Sequence, residues 1–135
     1  MRCYVTSRFK NAVEERDAIL ALCSAVKSAG YEDVSFIRDI EQFNPRHFTT
    51  QQEVWTASLE LLKTCDCLLI DISDHPSGGR IVEAGMAFAL GLPIFVIAKQ
   101  DTEFKKFYEG IATDIIHYSS YADVTSALAA HVQNP

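Results

Sequence analysis

Two hydrophobic patterns alternate along the chain: short apolar runs bounded by polar turns, and longer stripes in which apolar residues recur three and four positions apart. Residues 1–6 read as a first strand that runs into the polar loop Ser7-Arg8-Phe9-Lys10-Asn11. Residues 12–29 put Val13, Ile19, Leu22, Cys23 and Val26 on one helical face, and Gly30 follows as the C-terminal cap. Val34-Ser35-Phe36-Ile37 is a short second strand. The polar segment 38–48, which contains Pro45, is long enough to be a functional loop over the strand ends.

Thr50-Gln51-Gln52-Glu53 has the form of a capping box and opens a second helix with Val54, Ala57, Ser58, Leu61 and Leu62 on one face. Residues 67–72 form a short apolar run ended by a polar turn, which reads as a buried strand. The tight loop Pro76-Ser77-Gly78-Gly79 follows, then a helix over 81–90 that is apolar almost all round and is capped by Gly91. A fourth strand is expected at 93–98, with proline tolerated at its first position, and a short helix at 102–109 ended by Gly110. A fifth strand lies within 111–118. The last helix starts after Ser119-Ser120 and carries Val124, Ala127, Leu128, His131 and Val132 on one side.

Strands that alternate with helices at this spacing form a parallel sheet covered on both faces. The expected architecture is α/β, a flavodoxin-like three-layer sandwich over residues 1–135 as one domain, with five strands in the order 2-1-3-4-5. The switch point of that order lies between strands one and three, and ligands in such folds bind outside the carboxyl ends there. The 6–10 and 71–83 segments therefore face each other across one crevice.

The chemistry expected in that crevice follows from a strand feeding a glycine loop and then a helix. Free backbone N–H groups and the positive end of the helix dipole favour an anion there. Ser77, the N–H groups of Gly78, Gly79 and Arg80, and a cation such as Arg80 or Arg8 would grip a phosphate. Glu83 sits about one turn into the helix, close enough to face what the loop holds. A carboxylate beside a bound sugar phosphate can attack or shield the anomeric carbon as its leaving group departs, and Asp71, Asp74 and His75 lie within reach to protonate that group. The plain alternatives are a Glu83 that only complements its helix dipole, a Ser-Gly turn that only caps, and a Tyr4 that only fills core. An acid inside an otherwise apolar helix favours the functional reading of Glu83.

Composition narrows the choices. The net charge of −6 over 135 residues argues against a nucleic-acid or anionic-membrane surface and leaves a small-molecule partner. The four cysteines, Cys3, Cys23, Cys65 and Cys67, lack zinc spacing and fall in or beside apolar runs, so they read as core residues in a reducing compartment. No metal or cofactor is implied. With neither an N-terminal apolar signal region nor an apolar run of spanning length, the expected location is cytoplasmic.

Pro76-Ser77-Gly78-Gly79, followed by Glu83-Ala84-Gly85 and Ala87-Phe88-Ala89-Leu90-Gly91-Leu92-Pro93, resembles the nucleoside 2-deoxyribosyltransferase family, and most closely its 2′-deoxynucleoside 5′-monophosphate N-hydrolase branch. The resemblance implies that Glu83 is the nucleophile at C1′ and that Ser77 and its glycines hold a 5′-phosphate. It also implies that Tyr4 lines the sugar site, that Ser7 and Arg8 complete the phosphate site, and that the chain forms a homodimer or higher homo-oligomer. Two departures stand out. The loop after strand one is not glycine-rich, and Ser58 occupies a position where the family carries an aspartate. That leaves base protonation, or the positioning of Glu83, to another acid such as Glu53 or Asp71, of which Asp71 is the first choice. The expected activity is cleavage or transfer of an N-glycosidic bond on a nucleoside or nucleoside 5′-monophosphate. The alternatives are a nucleotide-binding module without turnover and an NAD-type glycohydrolase.

Overall fold

The computed structural model describes residues 1–10, 13–74 and 78–133. Strands β1 (Arg2–Thr6), β2 (Glu32–Val34), β3 (Cys67–Asp71), β4 (Ile94–Lys99) and β5 (Asp114–Tyr118) form one sheet in the order β2-β1-β3-β4-β5. Every neighbouring pair is parallel. This is the flavodoxin-like topology expected from the alternation of elements, and its reversal lies between β1 and β3. The helices are α1 (Val13–Ser28), α2 (Gln51–Lys63), α3 (Gly78–Ala89), α4 (Phe107–Ile111) and α5 (Tyr121–Gln133).

The two-residue period of the strands sorts side chains into two cores. Cys3 and Val5 of β1, with Cys67 and Leu69 of β3, pack against Ile19, Leu22 and Val26 of α1 and Val124 and Leu128 of α5. Tyr4 of β1, with Leu68 and Ile70 of β3, packs against Leu62 of α2, Ala84 and Ala87 of α3 and Tyr108 of α4. The same parity governs the polar residues at the strand ends. Thr6 is in phase with Tyr4 and belongs to the α3 face, whereas Asp71 is in phase with Leu69 and belongs to the α1 and α5 face.

Helix α3 begins at Gly78, so Gly78 and Gly79 are helical and not part of the expected loop. Two further elements differ from expectation. The second strand covers Glu32–Val34, pairing with Arg2, Cys3 and Tyr4, and does not continue through Ile37. Ser35 stops it: its hydroxyl accepts from the Arg38 N–H at 3.2 Å, and its own N–H donates to Asp39 Oδ2 at 2.9 Å. This reciprocal cap opens a π-helical turn over Phe36–Ile40, so Phe36 is buried from a turn. The short helix also runs later than expected, past Gly110, because the Ala112 N–H closes its last turn on the Tyr108 carbonyl at 2.9 Å. Gly91, at φ +73°, follows α3 as the expected glycine cap, a backbone conformation that L side chains rarely adopt. Cys3, Cys23, Cys65 and Cys67 are free thiols and buried. Among the described residues, no helix is long and apolar enough to cross a membrane.

Candidate functional site

The buried stripe of α3 consists of Arg80, Glu83, Ala84 and Ala87, which recur at helical spacing. Two of these four are charged, and both reach the carboxyl ends of the neighbouring strands β1 and β3, Glu83 at Thr6 and Arg80 at Asp71. Glu83 Oε1 accepts a 2.8 Å hydrogen bond from the Thr6 hydroxyl. The hydroxyls of Tyr4 and Ser58 lie 2.9 Å apart in a hydrogen bond, both residues fully enclosed. Burial pushes the Glu83 carboxyl above the usual carboxylate range. Hydrogen bonds from Tyr4 and Thr6 and the charge of Arg80 oppose that rise, and the nearby Glu41 adds to it. Burial, and then the charge of Glu83, hold the Tyr4 hydroxyl protonated well above its ordinary value.

Two cavities meet at Glu83. One, of about 170 Å³, is mostly apolar and is lined by Val5, Phe36, Ile37, Val54 and Trp55, with Thr6, Glu41, Ser58 and Glu83 as its polar members. The other, of about 210 Å³, is lined by Ser7, Arg8, Phe9, Lys10 and Arg80. Thr6, Ile37, Gly79 and Glu83 line both. A flat apolar group on one side, an anion on the other and a carboxylate between them is what this arrangement accommodates. A larger cavity, of about 350 Å³, opens on the α1 side and includes Asp71, Ser73, Lys99, Tyr118 and Tyr121, but not Glu83. It shares Ser7 and Arg8 with the cationic cavity but does not reach Glu83.

The cations expected to grip an anion have protein partners. Arg80 is buried and donates from Nη1 to the Asp71 carbonyl at 2.7 Å and to Asp74 Oδ1 at 2.6 Å, and from Nη2 to Asp74 Oδ2 at 2.8 Å. Burial works against Asp74 ionising, but this guanidinium holds its carboxyl below the usual range. Arg8 is half exposed and pairs with Glu15 at 2.8 Å. Gly78 and Gly79 open α3, so their N–H groups and that of Arg80 fall in the first turn, where intrahelical partners are lacking. Ser77 and His75 lie outside the described residues.

Asp71, expected to protonate the leaving group, faces away from Glu83. Its Oδ2 accepts from the Tyr118 hydroxyl at 2.6 Å, and its Oδ1 accepts from the Ser73 N–H at 2.9 Å and the Ser73 hydroxyl at 2.6 Å. Strand parity is the physical reason, since a residue in phase with Leu69 projects to the α1 and α5 face while Glu83 approaches from the other.

A family model described as nucleoside 2-deoxyribosyltransferase matches residues 4–131. The chain belongs to the nucleoside 2-deoxyribosyltransferase family. Solved structures of similar fold include the Clostridium botulinum CMP N-glycosidase BcmB, 17% identical, covering 97% of this chain and 99% of that one at a TM-score of 0.68. The 2-deoxyribosyltransferase of Bacillus psychrosaccharolyticus is 18% identical, with 95% and 96% covered and a TM-score of 0.70. A conserved protein from Enterococcus faecalis V583 is 10% identical, with 96% and 98% covered and a TM-score of 0.80. Among curated proteins no match is found. Within this nucleoside 2-deoxyribosyltransferase framework, Ser58 lies in the wall of the cavity beside Glu83. Sequence reasoning placed the 6–10 segment on the crevice wall and 38–48 over the strand ends, but gave no individual role to Thr6, Lys10, Glu41 or Trp55. The two-residue step from Tyr4 was a signal for Thr6, but a polar loop offers none for Glu41.

Proposed function

We propose that the chain cleaves or exchanges the N-glycosidic bond of a nucleoside 5′-monophosphate, with Glu83 as the nucleophile at C1′. The observation that carries this reading is the position of one buried carboxylate where an apolar cavity meets a cationic one. The base occupies the apolar cavity against Trp55. The 5′-phosphate occupies the other, where Lys10, Ser7 and the first-turn N–H groups of α3 receive it by charge and hydrogen bonding. Arg80, tied to Asp74, contributes its field more than a direct bond.

Glu83 must be ionised to attack. Burial raises its pKa, and the Thr6 hydroxyl, which aims one of its oxygens, opposes that rise together with Tyr4 and Arg80 and so favours the charged form. Attack at C1′ forms a glycosyl ester as the C1′–N bond breaks, and the intermediate is then captured by water, giving hydrolysis, or by a second base, giving transfer. The hydrogen bond between Ser58 and Tyr4 favours one alternative, a nucleotide-binding module without turnover, because it fills the family's acid position with a hydroxyl. Chromatographic detection of free base from a panel of nucleosides and monophosphates separates the two. An enzyme releases base and loses that release in Glu83→Gln, whereas a binder gives a thermal shift with nucleotide and no free base.

A further inference from the structure

A departing base needs a proton, and the described lining of the apolar cavity contains two carboxylates, Glu83 and Glu41. Glu83 is committed to the sugar. Ser58 carries no acidic group, and Asp71 lies across the sheet. Glu41 follows directly on the π-helical turn Phe36–Ile40, and its N–H donates to the Phe36 carbonyl at 3.0 Å.

The segment that presents Glu41 is held from several sides. Arg38 pairs with Asp33 at 2.6 Å and with Asp39 at 2.7 Å, fixing the turn to the end of β2. The two residues after Glu41, Gln42 at φ 53° and Phe43 at φ 58°, both sit in the left-handed region that favours glycine. Backbone strain of this kind persists only where surrounding contacts over-determine it, and it concentrates at functional sites. The contacts here are the Phe43 N–H to the Ile37 carbonyl at 2.9 Å, the Phe43 ring edge-on to Phe9 at 5.5 Å, and the Arg16 guanidinium 4.4 Å from the centre of the Phe43 ring. Phe9 belongs to the loop that walls the cationic cavity, so the same packing joins the Glu41 segment to the other half of the site.

We propose that Glu41 is the proton donor to the departing base, supplying from the β2–α2 loop the acid that position 58 of α2 does not carry. The inference rests on the reading of Glu83 as nucleophile. As a Glu83 oxygen bonds to C1′, the C1′–N electron pair passes to the base and the Glu41 carboxyl proton follows it, so the base leaves neutral. The Glu41 carboxylate then takes a proton from water, the hydroxide oxygen attacks C1′, and the bond to Glu83 breaks. Both side chains return to their starting forms. The division of roles follows position: Glu83 sits where the two cavities meet, whereas Glu41 lines only the apolar one. Burial raises both carboxyls above the usual range, opposed on Glu83 by Tyr4, Thr6 and Arg80 and on Glu41 by His47.

The test compares parent, Glu41→Gln and Glu83→Gln on two substrates with the same sugar phosphate. One carries a natural base, which needs a proton to leave, and the other carries 4-nitrophenolate, which departs as a stable anion. In the first turnover Glu41→Gln is expected to lose about 10²- to 10⁴-fold on the natural base and to release nitrophenolate in a burst near the parent's rate, which also reports that the variant is folded; later turnovers slow, because water then lacks its base. An equal first-turnover loss on both substrates, or no loss on the natural base, overturns the role of Glu41 and leaves Glu83 standing. Failure of the parent to release either group, or equal rates in parent and Glu83→Gln, removes the nucleophile and the acid together.

Discussion

The Thr6 hydroxyl and the Glu83 carboxylate, 77 positions apart in sequence, meet in a 2.8 Å hydrogen bond that joins the end of β1 to the first part of α3. This contact closes the reversal in strand order around one acid. A neutral donor on a buried carboxylate is worth roughly 1.5–3 kcal/mol, which corresponds to about 10- to 100-fold in rate if the bond is kept through the transition state. Thr6→Val should therefore lower kcat/KM by about that factor, and Thr6→Ser should restore most of it. Steady-state kinetics of base release on the two variants measures this, and a full effect in both would tie the residue to packing alone.

Glu83 should also reduce stability. Its folded pKa lies above the unfolded one, so its favourable contribution is present below the ordinary carboxylate range and is lost as pH rises through the folded value. At neutral pH the ionised side chain costs free energy, and Glu83→Gln should melt at a higher temperature than the parent. The gap should narrow as pH falls toward about 4 and close below it, where both states carry a neutral group. Melting curves across pH 4–8 measure it.

Arg80 is expected to behave as a structural cation. Arg80→Ala removes its bonds to the Asp71 carbonyl and to both oxygens of Asp74, which should destabilise the fold by about 2–3 kcal/mol in denaturant unfolding. Asp74 has the opposite sign to Glu83. Its folded pKa is depressed, so its contribution is present above the ordinary range and is lost as pH falls through the folded value. The stability gap between parent and Asp74→Asn should be widest at neutral pH and shrink in acid.

Tyr118→Phe and Asp71→Asn act on the far side of the sheet. Each disturbs the 2.6 Å bond between Tyr118 and Asp71 and should lower stability by about 1–2 kcal/mol, with base release close to the parent's rate. A large loss of turnover with unchanged stability in Asp71→Asn would return the acid role to that residue.

The strand order and the burial of Glu83 were legible in the sequence because both rest on periodicity. Apolar runs separated by helical stripes leave few topologies for five parallel strands, and an acid on an apolar helix marks itself. The direction of Asp71 was also legible, since it shares parity with Cys67 and Leu69, but nearness in sequence to the glycine loop obscured the two-residue rule. The end of β2 was less accessible. Val34, Phe36 and Ile37 look like a strand until the Ser35 and Asp39 caps turn the chain, which is a contest between local hydrogen bonds and hydrophobicity. Glu41 could not be found that way, because a left-handed pair at Gln42 and Phe43 sets its direction and neither residue type announces that conformation.

The most direct test of the central claim is to mix the protein with a panel of nucleoside 5′-monophosphates and follow free base by chromatography, in parallel for parent and Glu83→Gln, with nucleotide affinity measured by calorimetry. The expected result is base release by the parent from at least one monophosphate, with Glu83→Gln binding that nucleotide at nearly unchanged affinity and releasing none. Equal release by both proteins would place the cleaving group elsewhere and contradict the role assigned to this carboxylate.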